Sequence, residues 1–232
     1  MTEFRHEYKY LCTRQQIETI RNSISGIMQP DKNAGRNGEY VIRSLYFDDY
    51  SNSCLYDNIN GNNPREKFRI RIYNADLSYI RLELKRKENG KTKKSSCRID
   101  ERLCLQMIQG IPLRIDAVDS EVYRKFCLWQ HTKFLKPAII TEYDRSPYVY
   151  SDGNVRVTFD QNIRAGTFVE DFTKQRIVAH PIMPFNQHLL EVKFDELIPD
   201  FIYSLVQTEN LRQTTYSKYY MCRRYHFGGG LL

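Results

Sequence analysis

The segments KFRIRIY and YIRLELKRK alternate apolar and charged residues with a period of two, the signature of strands that bury one face and not the other. In the first, Phe68, Ile70 and Ile72 share one side, leaving Lys67, Arg69, Arg71 and Tyr73 on the other. In the second, Ile80, Leu82 and Leu84 oppose Arg81, Glu83, Lys85 and Lys87. Later segments repeat the arrangement. Tyr143 and Arg145 oppose Ile140, Arg156 and Thr158 oppose Val155, Val157 and Phe159, and Glu191 and Lys193 oppose Leu190, Val192 and Phe194. A chain of this kind forms an antiparallel sheet whose second face is cationic. Its 17 Tyr and 13% aromatic content favour strand over a helical bundle.

An antiparallel sheet commonly turns a polar face to water, but such faces mix both signs of charge. Here the first two strands set six cations against Glu83 alone. Arg offers a planar fork and Lys a mobile point charge for phosphate oxygens, so the face suits a phosphate compound. The net charge of +7 agrees, without choosing between small phosphates, nucleic acid and a membrane surface. Nucleic acid is disfavoured because the aromatics fall mainly on the apolar sides and form no stacking platform. No P-loop, GxGxxG, HExxH or GxSxG occurs, and the five His show no metal-ligand spacing. The six Cys lack a CxxC pair and no signal peptide precedes them, which predicts reduced thiols, a cytoplasmic setting and no structural metal site. No apolar run reaches the ~20 residues of a membrane helix.

Along the chain, a first strand is predicted from Phe4 to Leu11 and a helix over 14–28, opened by a Thr13/Gln16 capping box and stopped by Pro30. A loop at 31–38, a strand from Val41 to Phe47 and a short helix or turn from Ser51 to Asn60 follow. Strands at Lys67–Tyr73, Tyr79–Lys87 and Lys91–Ile99 come next, the last two joined by an Asn89-Gly90 turn. Residues 101–130 read as a helical insertion. Strands resume at Ala138–Arg145, Asn154–Gln161 and Leu189–Phe194, before helical stretches at Phe201–Val206 and about 215–225. No repeat or composition shift divides the chain, so one domain over 1–232 is expected.

The ordered motifs FRHEYKY, SLYFDD, FRIRIY, LELKRK, YDRSPY, NVRVTFD, LLEVKF and YSKY resemble the VTC (vacuolar transporter chaperone) domain, the polyphosphate polymerase branch of the CYTH-like triphosphate tunnel metalloenzymes. The resemblance implies an α+β fold: a closed antiparallel β-barrel with a basic interior and helices packed outside. It implies transfer of the γ-phosphate of ATP to a growing polyphosphate chain, with a divalent metal, Mn2+ or Mg2+. Carried over by position, Arg69, Arg71, Lys85, Arg145 and Arg156 would act on the triphosphate. Lys9, Lys94 (with Lys93 as an adjacent rival), Tyr143, Lys193, Ser217 and Lys218 would be further phosphate contacts, and Glu191 the metal carboxylate. Glu7 and Glu83 are weaker metal candidates, and Thr215 stands where the family pattern has a second Lys. Coupling synthesis to translocation would need a separate membrane protein, and docking on it would put the chain at the inner face of a membrane. A tunnel hydrolase or cyclase, and a non-catalytic polyphosphate-binding module, are the competing readings.

Overall fold

The computed structural model describes residues 4–35, 37–208, 211–226 and 228. The chain runs β1 (His6–Thr13), α1 (Arg14–Ile24), β2 (Gln29–Pro30), β3 (Tyr40–Asp48), α2 (Ser53–Ile59), β4 (Arg65–Tyr73), β5 (Asp76–Glu88) and β6 (Lys91–Ile99). It continues with α3 (Glu101–Ile108), α4 (Glu121–Thr132), β7 (Lys136–Tyr150), β8 (Val155–Gly166), β9 (Ala179–Pro181), β10 (Gln187–Phe194), α5 (Asp200–Val206) and α6 (Lys218–His226). The strands form one sheet in the order β1-β10-β8-β7-β3-β4-β5-β6, with β2 on β7 and β9 on β8, and every pairing is antiparallel. Of the Gly228-Gly229-Gly230 stretch near the end of the sequence, only Gly228 is among the described residues.

The sheet curls, but it is an open barrel and not the closed one expected. Among the described residues its two ends, β1 and β6, meet at a single bridge, in which Arg5 and Thr92 exchange backbone hydrogen bonds of 2.9 and 2.8 Å. Continuing that antiparallel register inward would set Glu7 opposite Gly90, which already belongs to the β5–β6 turn, so the ladder has no partner strand left.

The alternation sorts the faces as the sequence predicts. Phe68, Ile70, Ile72, Ile80, Leu82 and Leu84 form one apolar cluster with Met107 of α3 and Tyr123 and Phe126 of α4. Ile17, Ile20 and Ile24 of α1 and Ile202 and Val206 of α5 cover Val157, Phe159, Leu190 and Val192. These helices pack on the convex side, and the cations are left on the concave one. Phe126 meets Phe47 and Phe68 edge-on at 4.9 and 5.3 Å between ring centres. Phe126→Ala should therefore cost ~3–5 kcal/mol, read as a lower urea midpoint at unchanged slope.

Several boundaries depart from the sequence reading. Helix α1 has the predicted capping box but stops at Ile24, not at 28, because Ser25-Gly26 turn the chain and Gln29–Pro30 then pair with β7. Strands β7 and β8 run past their predicted ends, to Tyr150 and Gly166, and the short β9 was not foreseen. The acidic pair of SLYFDD is local scaffolding. Asp48 accepts the Cys54 and Leu55 amides at 2.9 and 3.3 Å, and Asp49 that of Ser53 at 2.9 Å, fixing the start of α2. Asp48 also accepts the Tyr219 hydroxyl, tying α6 to β3. Not every helix lies outside, as had been expected: the first residue of α6, Lys218, enters the concave side because its ion partners are there. Among the described residues no helix is long and apolar enough to cross a membrane, and all six Cys are free thiols.

Candidate active site

The concave face encloses a cavity of about 750 Å³. Strands β1, β10, β7, β3, β4 and β5 supply its walls, the end of α2 and the β5–β6 turn form its rim, and residues 213–221 close one side. Among the described residues, ten Lys and Arg side chains line it against two carboxylates, Glu7 and Glu191, so an anionic occupant is strongly favoured. Of the residues singled out in the sequence, Lys9, Arg69, Arg71, Lys85, Tyr143, Arg145, Glu191, Lys193, Ser217 and Lys218 meet here, and Thr215 stands on the same wall. Arg156 and Lys94 do not line it. Arg156 is held by Asp31 at 2.7 Å and the Tyr40 hydroxyl at 2.9 Å, and Lys94 leans on Glu83 at 3.2 Å with 45% of its side chain exposed.

One part of the wall is a buried ion network. Arg145 donates to both oxygens of Asp160 at 2.6 Å and to Glu191 at 3.2 Å. Lys218 bridges the same carboxylates at 2.5 and 2.7 Å. Lys193 lies 3.0 Å and Lys9 3.6 Å from Glu191, while Glu7 receives Lys9 at 3.0 Å and Lys85 at 2.9 Å. Burial opposes the charge on Glu191, yet Lys193, Lys218, Lys9 and Arg145 outweigh it and hold the carboxyl well below the usual range. Glu7 follows the same logic, burial being overcome by Lys85, Lys9 and Lys193. Asp160, fully buried, was not recognised in the sequence. Its only signal was its place at the end of NVRVTFD, and its part is to anchor Arg145 and Lys218.

The opposite wall is built differently. Arg69 clasps Glu83 at 2.7 Å and donates to the Tyr46 hydroxyl at 2.8 Å. Arg71 is more loosely held, 3.2 Å from the Ser44 hydroxyl and 3.8 Å from Glu83. Glu83, a weaker metal candidate from sequence, is sealed behind these arginines and Lys94 and does not reach the cavity. Tyr46 was also missed. Burial resists its ionisation, but Arg69, Arg71 and Lys67 prevail and bring its hydroxyl down to about 8. Burial brings the ammonium of Lys67 down to about 8, and that of Lys85 likewise, there with Lys9 adding to the effect against Glu7. Tyr143 places its ring under Arg145 and Lys218, at 5.3 and 4.8 Å. Ser217 caps α6, accepting the Tyr220 amide at 3.3 Å.

The donor set decides how a metal ion could sit here. Among the described residues no three His, Cys, Asp or Glu side chains gather into a metal site. Both oxygens of Glu191 already face cations. Carboxylate oxygen suits a hard ion of the Mg2+ or Mn2+ kind, which characteristically takes one or two protein carboxylates and completes its shell with substrate phosphates. The residues therefore fit an ion carried on phosphates and held by Glu191, with Glu7 nearby, and do not fit a protein-only cage.

A curled antiparallel sheet with a buried cationic interior is a tunnel-type architecture, and one solved structure shares the fold. An adenylyl-cyclase candidate from Hippeastrum, reported to have a dominant triphosphatase activity, superposes with a TM-score of 0.58 at 13% identity, over 99% of this chain and 98% of that one. An adenylate-cyclase candidate from Bacillus halodurans matches with a TM-score of 0.49 at 13% identity, over 88% and 86%. No curated protein matches the sequence. The VTC domain family matches residues 4–227, and the chain belongs to that family.

Proposed function

We propose that the cavity transfers the γ-phosphoryl group of ATP to the end of a growing polyphosphate chain. The observation that carries this reading is the ratio of ten cations to two carboxylates among the described lining residues, with both carboxylates held well below their ordinary range. Such carboxylates are weak general bases, so neither is well suited to activate water. A terminal phosphate of polyphosphate needs no base, because it arrives already ionised. Its oxygen forms a bond to the γ-phosphorus as the bond to the β–γ bridging oxygen breaks, and ADP departs with the electron pair.

The chain's own contribution is positioning and charge. Arg69, Arg71, Lys85 and Arg145 surround the triphosphate, while Lys9, Lys193, Lys218, Tyr143 and Ser217 hold the phosphates on either side of the transferred group. Arg156 and Lys94 enter this reading only as contacts outside the cavity lining. A divalent ion bound by Glu191 and the phosphates would supply additional positive charge where negative charge develops. Hydrolysis, the activity named for the Hippeastrum protein, is the competing reading, and it requires a base on the attacking water, a part for which Glu7 and Glu191 are poorly suited. With ATP labelled in its γ-phosphate, label should accumulate in polymer. Label recovered as free phosphate would favour the hydrolase.

Lys85 gives this reading a pH signature. Phosphate binds its charged form, which is present below about 8 and lost above it. Affinity for tripolyphosphate should thus fall from pH ~7 to ~9, by up to about tenfold. Ionisation of Tyr46 across the same range acts in the same direction. Titration calorimetry in buffers of different ionisation heat should show proton uptake on binding near pH ~8. A flat affinity across the range would contradict the assignment.

A further inference from the structure

Three of the cations lining the cavity stand apart from the network above. Arg65, Lys67 and Lys87 lie on the β4–β5 ladder toward the rim, where Arg65 is directly opposite Lys87 and Lys67 directly opposite Lys85. Like charges in facing positions of an antiparallel pair destabilise it, and here two successive pairs do so. Of the four, only Lys85 has a carboxylate within 4.0 Å among the described residues, namely Glu7. The nearest acidic residues in sequence, Glu66 and Glu88, occupy the other face, where they pair with Lys125 and Arg86. In place of a carboxylate Lys67 has the Ser217 hydroxyl at 3.4 Å, the Tyr219 ring at 5.1 Å and the field of the Tyr46 hydroxyl. Partly buried cations arranged in this way want a bridging anion.

We infer that Arg65, Lys67 and Lys87 form an outer anion subsite that takes the phosphates of a polyphosphate chain extending beyond triphosphate length. Residues alternate faces at about 3.4 Å per position, so Arg65 lies roughly 14 Å along the strand from Arg69. The subsite thus continues the cationic track from the inner wall to the rim, and it sets a preference for long chains over short ones. This inference rests on the reading of the cavity as a phosphate site.

Binding of tripolyphosphate and of a much longer polyphosphate to the intact protein, at one fixed ionic strength and without turnover, separates the two ideas. The wild type should bind the longer chain more tightly by on the order of tenfold or more per phosphate-binding site. The triple variant Arg65→Met, Lys67→Met, Lys87→Met should lose most of that ratio while changing tripolyphosphate affinity by no more than about threefold, and should melt at or above the wild-type temperature without ligand. A charge-matched control, Arg114→Met, Arg124→Met, Lys174→Met, removes exposed cations elsewhere and should keep the ratio. The subsite is overturned if the triple variant keeps the ratio, if the control loses it equally, or if the triple variant loses both ligands alike. A wild type that binds neither ligand overturns the phosphate reading of the whole cavity.

Discussion

Arg145→Met should lose turnover by about three orders of magnitude and stability by ~3–5 kcal/mol, the first because an arginine on a transferring phosphoryl group is worth at least that much and the second because a buried carboxylate is orphaned. Arg145 is 7% exposed and Asp160 is fully buried, and their two 2.6 Å hydrogen bonds form the most closely matched pair in the cavity wall. Without Arg145, Asp160 keeps only Lys218, which it must share with Glu191. Both effects should appear together, in urea denaturation and in ATP turnover. A variant as stable as the wild type would mean that Asp160 is not held as described.

Arg71→Met should separate those effects. Arg71 has no carboxylate closer than 3.8 Å, and Glu83 keeps Arg69 at 2.7 Å and Lys94 at 3.2 Å when Arg71 is gone. Its guanidinium is the one on this wall least committed to the protein and so most available to substrate. Stability should change by less than about 1 kcal/mol, since removing a cation from a crowd of cations offsets the lost contacts. Turnover should fall on the order of a thousandfold. Equal losses from Arg71→Met and from a rim variant such as Lys87→Met would show that the cavity acts as diffuse charge and not as a set of placed groups.

The contrast between these two arginines marks how far the sequence could be read. Period-two alternation assigned each residue of β4, β5, β8 and β10 to a face, and Phe68, Ile70, Val157 and Leu190 are buried where alternation put them. Alternation says which side a residue is on, but not how far along the barrel it sits or which carboxylate lies across from it. Arg156 and Arg145 are both on the concave face, yet Arg156 is tied to Asp31 at one end and Arg145 is central. Asp160 was invisible for the same reason, since its importance comes from Arg145 and Lys218, distant in sequence and brought together by β7, β8 and α6. Closure of the barrel depended on the register between the first and sixth strands, which no local pattern encodes.

The most direct test follows ADP and free phosphate in the same reaction of purified protein with ATP and a divalent metal, with and without added polyphosphate. A phosphoryl-transfer site that uses polyphosphate as acceptor should release ADP faster when acceptor is added, with polymer growing in step and free phosphate staying near background. ADP and free phosphate released in equal amounts, unaffected by added polyphosphate, would contradict the account and identify water as the acceptor.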